Sequence, residues 1–300
     1  MPRLHVFLGT KAQYIKTAPL LRRLDADGVD YRLIDSGQHA RLSTALRADL
    51  GVREPDVRLG GADDVTSIAG AVVWAARIAG RLASPQRVRD DLFGGDGGIC
   101  VVHGDTPSTL LSALLARRAG LRVAHLEAGL RSRSLLHPFP EELIRLAVMR
   151  CSDLLFAPDE TAVRNLRGMR LRGRIVPVAG NTVVEALEHS LGAAGGGVGA
   201  GGGAAVVTMH RVENLKNRRR VDGFIALVRR LAATMPVCFV VHGPTDETLR
   251  RSGADAQLRA AGVTLSPLLA HPEFTALLAA APLVVTDGGS IQEECALLGV

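Results

Sequence analysis

Short runs of aliphatic and β-branched residues recur along the chain between longer stretches of helical period. They occupy residues 4–8, 31–35, 99–103, 122–126, 154–157 and 175–179 and, after a gap, 204–209, 237–242, 263–265 and 283–286. Runs this short and this apolar suit strands covered on both faces, and their alternation with helices predicts parallel sheets of the doubly wound α/β kind. The gap is a Gly/Ala tract, 192–205, too poor in large side chains to build a core and therefore predicted to be a flexible connection. Two α/β domains with a central cleft, 1–172 and 173–300, are the simplest arrangement, with the tract inside the second.

In open parallel sheets ligands bind beyond the carboxyl ends of the strands. Here the residues that follow the runs are polar: Gly9-Thr10-Lys11, Ser36-Gly37-Gln38-His39, His103-Gly104-Asp105-Thr106, Glu127-Ala128-Gly129-Leu130-Arg131, Thr208-Met209-His210-Arg211 and Thr286-Asp287-Gly288-Gly289-Ser290. One polar strand end is unremarkable, whereas a series of them predicts a polar active site.

Composition narrows the possibilities. With 300 residues, 47% hydrophobic and 22% charged, the chain is neither a disordered tail nor a small disulfide-stapled scaffold. A net charge of +6 suits an anionic small molecule as well as a nucleic acid. At 3% aromatic the chain is poor in stacking platforms, so the Arg-rich stretches 164–174 and 218–220 read as solvated faces and no nucleic-acid partner is expected. Cys100 and Cys238 lie in apolar runs and pair with no nearby cysteine, which predicts buried thiols in a reducing compartment. No metal-ligand spacing occurs, and neither a metal nor another cofactor is expected. The longest apolar stretch, 276–285, is about half a bilayer span, and Met1 leads into the first run without a basic leader. A cytoplasmic protein with no membrane partner is the expectation.

Three groups of residues carry candidate chemistry. Asp287-Gly288-Gly289-Ser290 precedes a helical pattern, where small residues let backbone amides approach a phosphate, and Glu293-Glu294 follow one turn on. A plain capped turn is the alternative. Gly9-Thr10-Lys11 carries the same ambiguity. Asp105 and Glu127 directly follow strands, and Glu141 lies in Pro138-Phe139-Pro140-Glu141-Glu142, where prolines fix a loop ahead of a helix. If these carboxylates converge, repulsion and burial would separate their pKa values into an acid and a base; otherwise each caps a helix or pairs with Arg131 or Arg145, and for Asp105 alone capping is the expectation. His210, beside Arg211 and Glu213, ends a strand and is placed to assist a leaving phosphate, whereas His5 and His125 read as packing residues inside strands.

Taken in order, residues 9–16, Gly37-Gln38-His39, His103-Gly104-Asp105-Thr106, Glu127-Ala128-Gly129-Leu130-Arg131, residues 138–142, Gly180-Asn181-Thr182-Val183, His210-Arg211-Val212-Glu213 and residues 287–294 make the chain resemble the UDP-N-acetylglucosamine 2-epimerases. The resemblance implies the two-domain glycosyltransferase-B fold, built of Rossmann-like domains. It also implies inversion at C2 of a UDP-sugar by elimination of UDP to a 2-acetamidoglucal and re-addition with a proton on the other face. By matching position, Asp105, Glu127 and Glu141 are the implied acid/base carboxylates and His210 the implied group at the diphosphate. Lys11, Lys16, Arg145, Arg211 and Glu213 would surround the sugar or diphosphate, Gly288, Gly289 and Ser290 the phosphates, and Glu294 the ribose hydroxyls. A homodimer is common in the family.

Two departures stand out. Lys11-Ala12-Gln13 replaces the usual Arg-Pro-Glu, and Asp287-Gly288-Gly289-Ser290 replaces Asp-Ser-Gly-Gly, moving the hydroxyl two places. The family pattern also continues beyond Val300 into another strand and C-terminal helices, so an incomplete second sheet is expected. The competing readings are a hydrolysing epimerase that releases N-acetylmannosamine and UDP, a glycosyltransferase on the same fold, and a catalytically silent UDP-sugar-binding protein.

Overall fold

A computed structural model describes residues 3–38, 46–60, 68–135, 140–193 and 203–300. Most of the Gly/Ala tract, together with His39, Pro138 and Phe139, lies outside the described residues. The chain divides into two compact units, Met1–Val183 and Val184–Val300.

The first unit runs β1 (Arg3–Leu8), α1 (Lys11–Ala26), β2 (Tyr31–Asp35), β3 (Val57–Arg58), α2 (Ile68–Gly80), β4 (Gly98–His103), α3 (Pro107–Arg118), β5 (Arg122–Leu126), α4 (Glu141–Cys151), β6 (Leu154–Ala157), α5 (Glu160–Gly168) and β7 (Arg174–Pro177). Its seven-stranded sheet has the order β3-β2-β1-β4-β5-β6-β7 with every pair parallel. The direction of winding reverses between β1 and β4, and beyond the carboxyl ends at such a reversal a doubly wound sheet opens a crevice. The division expected after residue 172 falls instead after Val183. β7 belongs to the first sheet, pairing with β6 from Leu154 opposite Arg174 to Ala157 opposite Pro177. β3 was not expected: at two residues it is too short to show a period, and it holds the sheet edge beside Asp56, whose carboxylate accepts the Leu33 amide at 2.7 Å.

The second unit runs α6 (Val183–Ala193), β8 (Ala205–Thr208), α7 (Arg218–Ala232), β9 (Val237–Val240), α8 (Gly243–Ser252), α9 (Ala254–Ala260), β10 (Val263–Ser266), α10 (His271–Ala279), β11 (Val284–Thr286) and α11 (Gly289–Leu298). Its parallel four-stranded sheet has the order β10-β9-β8-β11, so winding reverses between β8 and β11. Alternate residues of β8 feed separate cores. Ala205 and Val207 join Phe239, Val228 and Leu249, while Val206 joins Leu278 and Cys295. A strand used on both faces must be apolar throughout, which is why these runs show no polar alternation.

In the first unit, Phe7, Ile34, Val102 and Val123 meet Trp74, Ile78 and Phe93 in one buried cluster. The indole Nε1 of Trp74 donates to the Ser36 carbonyl at 2.9 Å, so the lone tryptophan is both core and anchor for the end of β2. The four cysteines are free thiols. His5 and His125 are fully buried, as their strand positions led one to expect. Among the described residues no helix is long and apolar enough to cross a membrane.

Candidate active site

At the β1/β4 reversal, Gln13 joins the two strand ends. Its Oε1 accepts the amides of Gly9 at 2.7 Å and Thr10 at 3.1 Å, and its Nε2 donates to the His103 carbonyl at 2.7 Å and the Thr109 hydroxyl at 2.7 Å. Gly9-Thr10-Lys11 is therefore a capped turn whose first two amides are occupied, with the Lys11 side chain half-buried on the first residue of α1. Both donors and acceptors are needed at Gln13, which gives the departure from a glutamate a local reason.

The register of β4 and β5 sets His103 opposite Leu126, so Glu127 emerges beside the end of β4. Glu127 has φ 60°, a left-handed conformation uncommon outside glycine and often found where a functional side chain is held. Its Oε1 accepts from Lys16 Nζ at 2.7 Å and from Asn181 Nδ2, and its Oε2 lies 3.4 Å from His103 Nε2. Burial by itself would raise the carboxyl pKa, but His103 and Lys16 outweigh it and hold Glu127 well below the usual carboxylate range. Neighbouring His125 bonds the Gly104 carbonyl through Nε2 at 2.7 Å, and burial lowers it to about 4.

Asp105 does not cap a helix. That place is taken by Thr106 at the start of α3, while Asp105 accepts from Arg145 Nη2. Arg145 also donates through Nη1 to Glu142 at 2.9 Å, and Glu142, fully buried, further accepts from Arg131 Nε and from the Ser132 amide at 3.0 Å. Burial would raise the Glu142 pKa, but Arg131, the Ser132 amide and Arg145 push it down to about 2. Glu141 sits half-buried at the first position of α4. Asp105 and Glu142 thus share Arg145, and Glu127 has Lys16. Of the alternatives weighed for Asp105, pairing with Arg145 is the one the structure shows.

In the second unit the β8/β11 reversal is tied by Asp287. Its carboxylate accepts the amides of His210 at 2.9 Å and Arg211 at 3.0 Å and the Asn214 side chain at 2.9 Å, while Arg211 Nε donates to its carbonyl at 2.7 Å. Burial opposes ionisation, but these donors win and lower its pKa. The His210 ring rests on Gly288: a Cβ there would stand 2.3 Å from His210 Cε1. Glycine in place of serine at 288 is thus the space His210 occupies. Gly288 precedes α11 without a side-chain cap, so the first amides of a ten-residue helix open at Gly289 and Ser290, beneath Arg211. Glu294 is buried on α11, with Oε2 unpartnered among the described residues and Oε1 3.8 Å from His271 Nε2. The Glu213 side chain lies outside the described residues.

His103, Asn181, Glu142 and Asp287 are the site residues that residue type alone did not single out. The first two lie in motifs quoted above, and the last two are the neighbours of residues that were chosen.

The chain matches the family model described as UDP-N-acetylglucosamine 2-epimerase over residues 22–300. It belongs to the UDP-N-acetylglucosamine 2-epimerase family. The family member of Methanocaldococcus jannaschii is 28% identical over 312 residues, covering 99% of this chain and 82% of that protein. The crystal structure of that enzyme in complex with UDP-GlcNAc and UDP gives a TM-score of 0.82 at 27% identity, covering 99% of this chain and 82% of that one. The Neisseria meningitidis UDP-GlcNAc 2-epimerase bound to UDP-GlcNAc gives 0.81 at 25% identity, covering 100% and 81%. The UDP-2,3-diacetamido-2,3-dideoxy-D-glucuronate 2-epimerase of Pseudomonas aeruginosa is 27% identical over 300 residues, covering 97% of this chain and 80% of that one. The fold is the glycosyltransferase-B type that these epimerases share, built of doubly wound parallel sheets.

Proposed function

We propose that the chain interconverts UDP-N-acetylglucosamine and UDP-N-acetylmannosamine and keeps UDP bound throughout. The observation that carries this reading is Glu127 with Asp105: two carboxylates on the ends of adjacent parallel strands, Glu127 backed by Lys16 and Asp105 by the Arg145 it shares with Glu142. The C2 hydrogen of the sugar is not activated by a carbonyl, so its removal has to be coupled to loss of the C1 substituent. A carboxylate takes the C2 proton, the C2–H electron pair becomes the C1–C2 double bond, and UDP leaves with the C1–O pair. UDP then adds back to C1 as a proton reaches C2 on the other face. Glu127, ionised in the free protein, meets the requirement for a base. Asp105 serves the opposite proton transfer, and Glu141, on the half-buried first residue of α4, completes the acid/base set.

The open end of α11, Arg211 and His210 suit a diphosphate that gains charge as it departs, and Gly289 and Ser290 offer amides to it. Glu294 is the ribose acceptor. Stable holding of the leaving diphosphate favours return over hydrolysis, which supports the retaining outcome.

Asp105→Asn and Glu127→Gln preserve shape and remove the base. Each is expected to abolish turnover of UDP-N-acetylglucosamine while UDP binding, followed by calorimetry, persists. Normal turnover in both would overturn the assignment.

A further inference from the structure

Beside Glu127 stands a buried ring nitrogen that makes no hydrogen bond among the described residues. His103 is buried, 2% exposed, and its Nδ1 meets the hydroxyl of Thr17, itself fully buried in α1, at 2.8 Å. Its Nε2 has no hydrogen-bond partner among the described residues and stands 3.4 Å from Glu127 Oε2, at ion-pair distance but off the line of a hydrogen bond. Burying a ring nitrogen without a partner is costly, so packing alone gives no reason to keep one. Around Glu127, Lys16 comes from α1, His103 from β4, His125 from its own strand, and Asn181 from the segment before α6. Lys16 and Asn181 both use Oε1. Oε2 is left to His103.

Chemistry fixes the proton on the ring. Nε2 faces a carboxylate, and a lone pair there would be repelled by the lone pairs of Oε2, so Nε2 carries the hydrogen. The Thr17 hydroxyl, able to donate or accept, holds Nδ1 on the other side of the ring. Such bonds are commonly long in unliganded sites and tighten with substrate present.

We propose that Thr17 and His103 are positioning residues for Glu127: the Thr17 hydroxyl orients the imidazole so that its Nε2–H is presented to Oε2, fixing the carboxylate that exchanges the C2 proton. The proposal rests on the epimerase reading of this site, and it adds that the oxygen opposite Lys16 is held by an imidazole N–H.

The test uses the full chain with UDP-N-acetylglucosamine in deuterated water, scored as kcat, KM and the pH profile of deuterium entry at C2. Thr17→Val is expected to lower kcat about tenfold, the worth of one neutral hydrogen bond, at unchanged KM. His103→Leu is expected to lower it about 10²-fold and to move the acid limb of the profile to higher pH, since Glu127 loses a stabilising partner. Thr17→Ser, which keeps the hydroxyl, is expected to retain wild-type kcat. A purely structural role would reduce the folded fraction without moving the pH limb. Independently of turnover, the imidazole nitrogen NMR shifts of wild-type His103 at neutral pH are expected to show the proton on Nε2. Wild-type kcat in Thr17→Val and His103→Leu, or an Nε2 that carries no proton, would overturn the proposal. Absence of deuterium in the wild-type protein would overturn the epimerase reading instead, and the nitrogen shifts would still decide the ring's orientation.

Discussion

Glu142 shows what one position decides at a helix start. Pro-Glu-Glu invites the first carboxylate into the site, but the helix turns the second one inward, where Arg131, Arg145 and Ser132 surround it. Removing one partner of a buried ion pair typically costs about 3–5 kcal/mol. Glu142→Gln is therefore expected to lower the unfolding free energy of the first unit by about 3 kcal/mol at neutral pH, measured in urea by the fluorescence of Trp74, the chain's one tryptophan. Its sign with pH follows from the lowered value. Folded Glu142 titrates at about 2 against 4.5 for a free side chain, so the difference between wild type and variant is complete above about pH 4.5 and fades as pH falls towards 2. Gly288 is the second residue to test. Because a Cβ would stand 2.3 Å from the His210 ring, Gly288→Ser is expected to displace that ring and lower kcat about 10²-fold. Added to His210→Ala it is expected to cost little more, since both changes act on one group, and a double-mutant cycle measures this. Neither the inward turn at Glu142 nor the ring on Gly288 was legible in the sequence. Both depend on which side of a helix start faces the sheet.

At the scale of elements, the apolar runs located ten of the eleven strands among the described residues, because a strand covered on both faces must be apolar throughout. β3 escaped for want of length, and the unit boundary was placed too early because β7 follows a charged, loop-like stretch yet completes the first sheet. The candidate motifs were legible as strand ends, but the partners that hold them were not. Gln13 is the clearest case: in sequence it is a departure from a family pattern, and in the fold it fastens β1 to β4 at the winding reversal. Gln13→Ala removes these bonds and leaves the Gly9 and Thr10 amides without their acceptor, while the His103 carbonyl keeps the Thr109 hydroxyl. It is expected to lower the urea midpoint of the Trp74 transition by an amount equivalent to about 2 kcal/mol, with a larger loss of kcat than of UDP binding. Unchanged stability would show that the two strand ends are fastened by other contacts.

For the molecule as a whole, one topological rule governs both units. In each sheet the residues that matter lie at the reversal of winding: Gln13, His103 and Asp105 at β1/β4, and His210 and Asp287 at β8/β11. The first unit supplies carboxylates held by cations, which suits proton transfer at carbon; the second supplies an open helix end and an arginine, which suits a diphosphate. The poverty of aromatic residues agrees with a sugar nucleotide rather than a nucleic acid as ligand. The most direct measurement of this account is proton NMR of the full chain with UDP-N-acetylglucosamine in deuterated water, following the anomeric and C2 signals. The account predicts deuterium at C2 together with the anomeric signal of UDP-N-acetylmannosamine. Free N-acetylmannosamine with UDP, or an unchanged substrate spectrum, would contradict it.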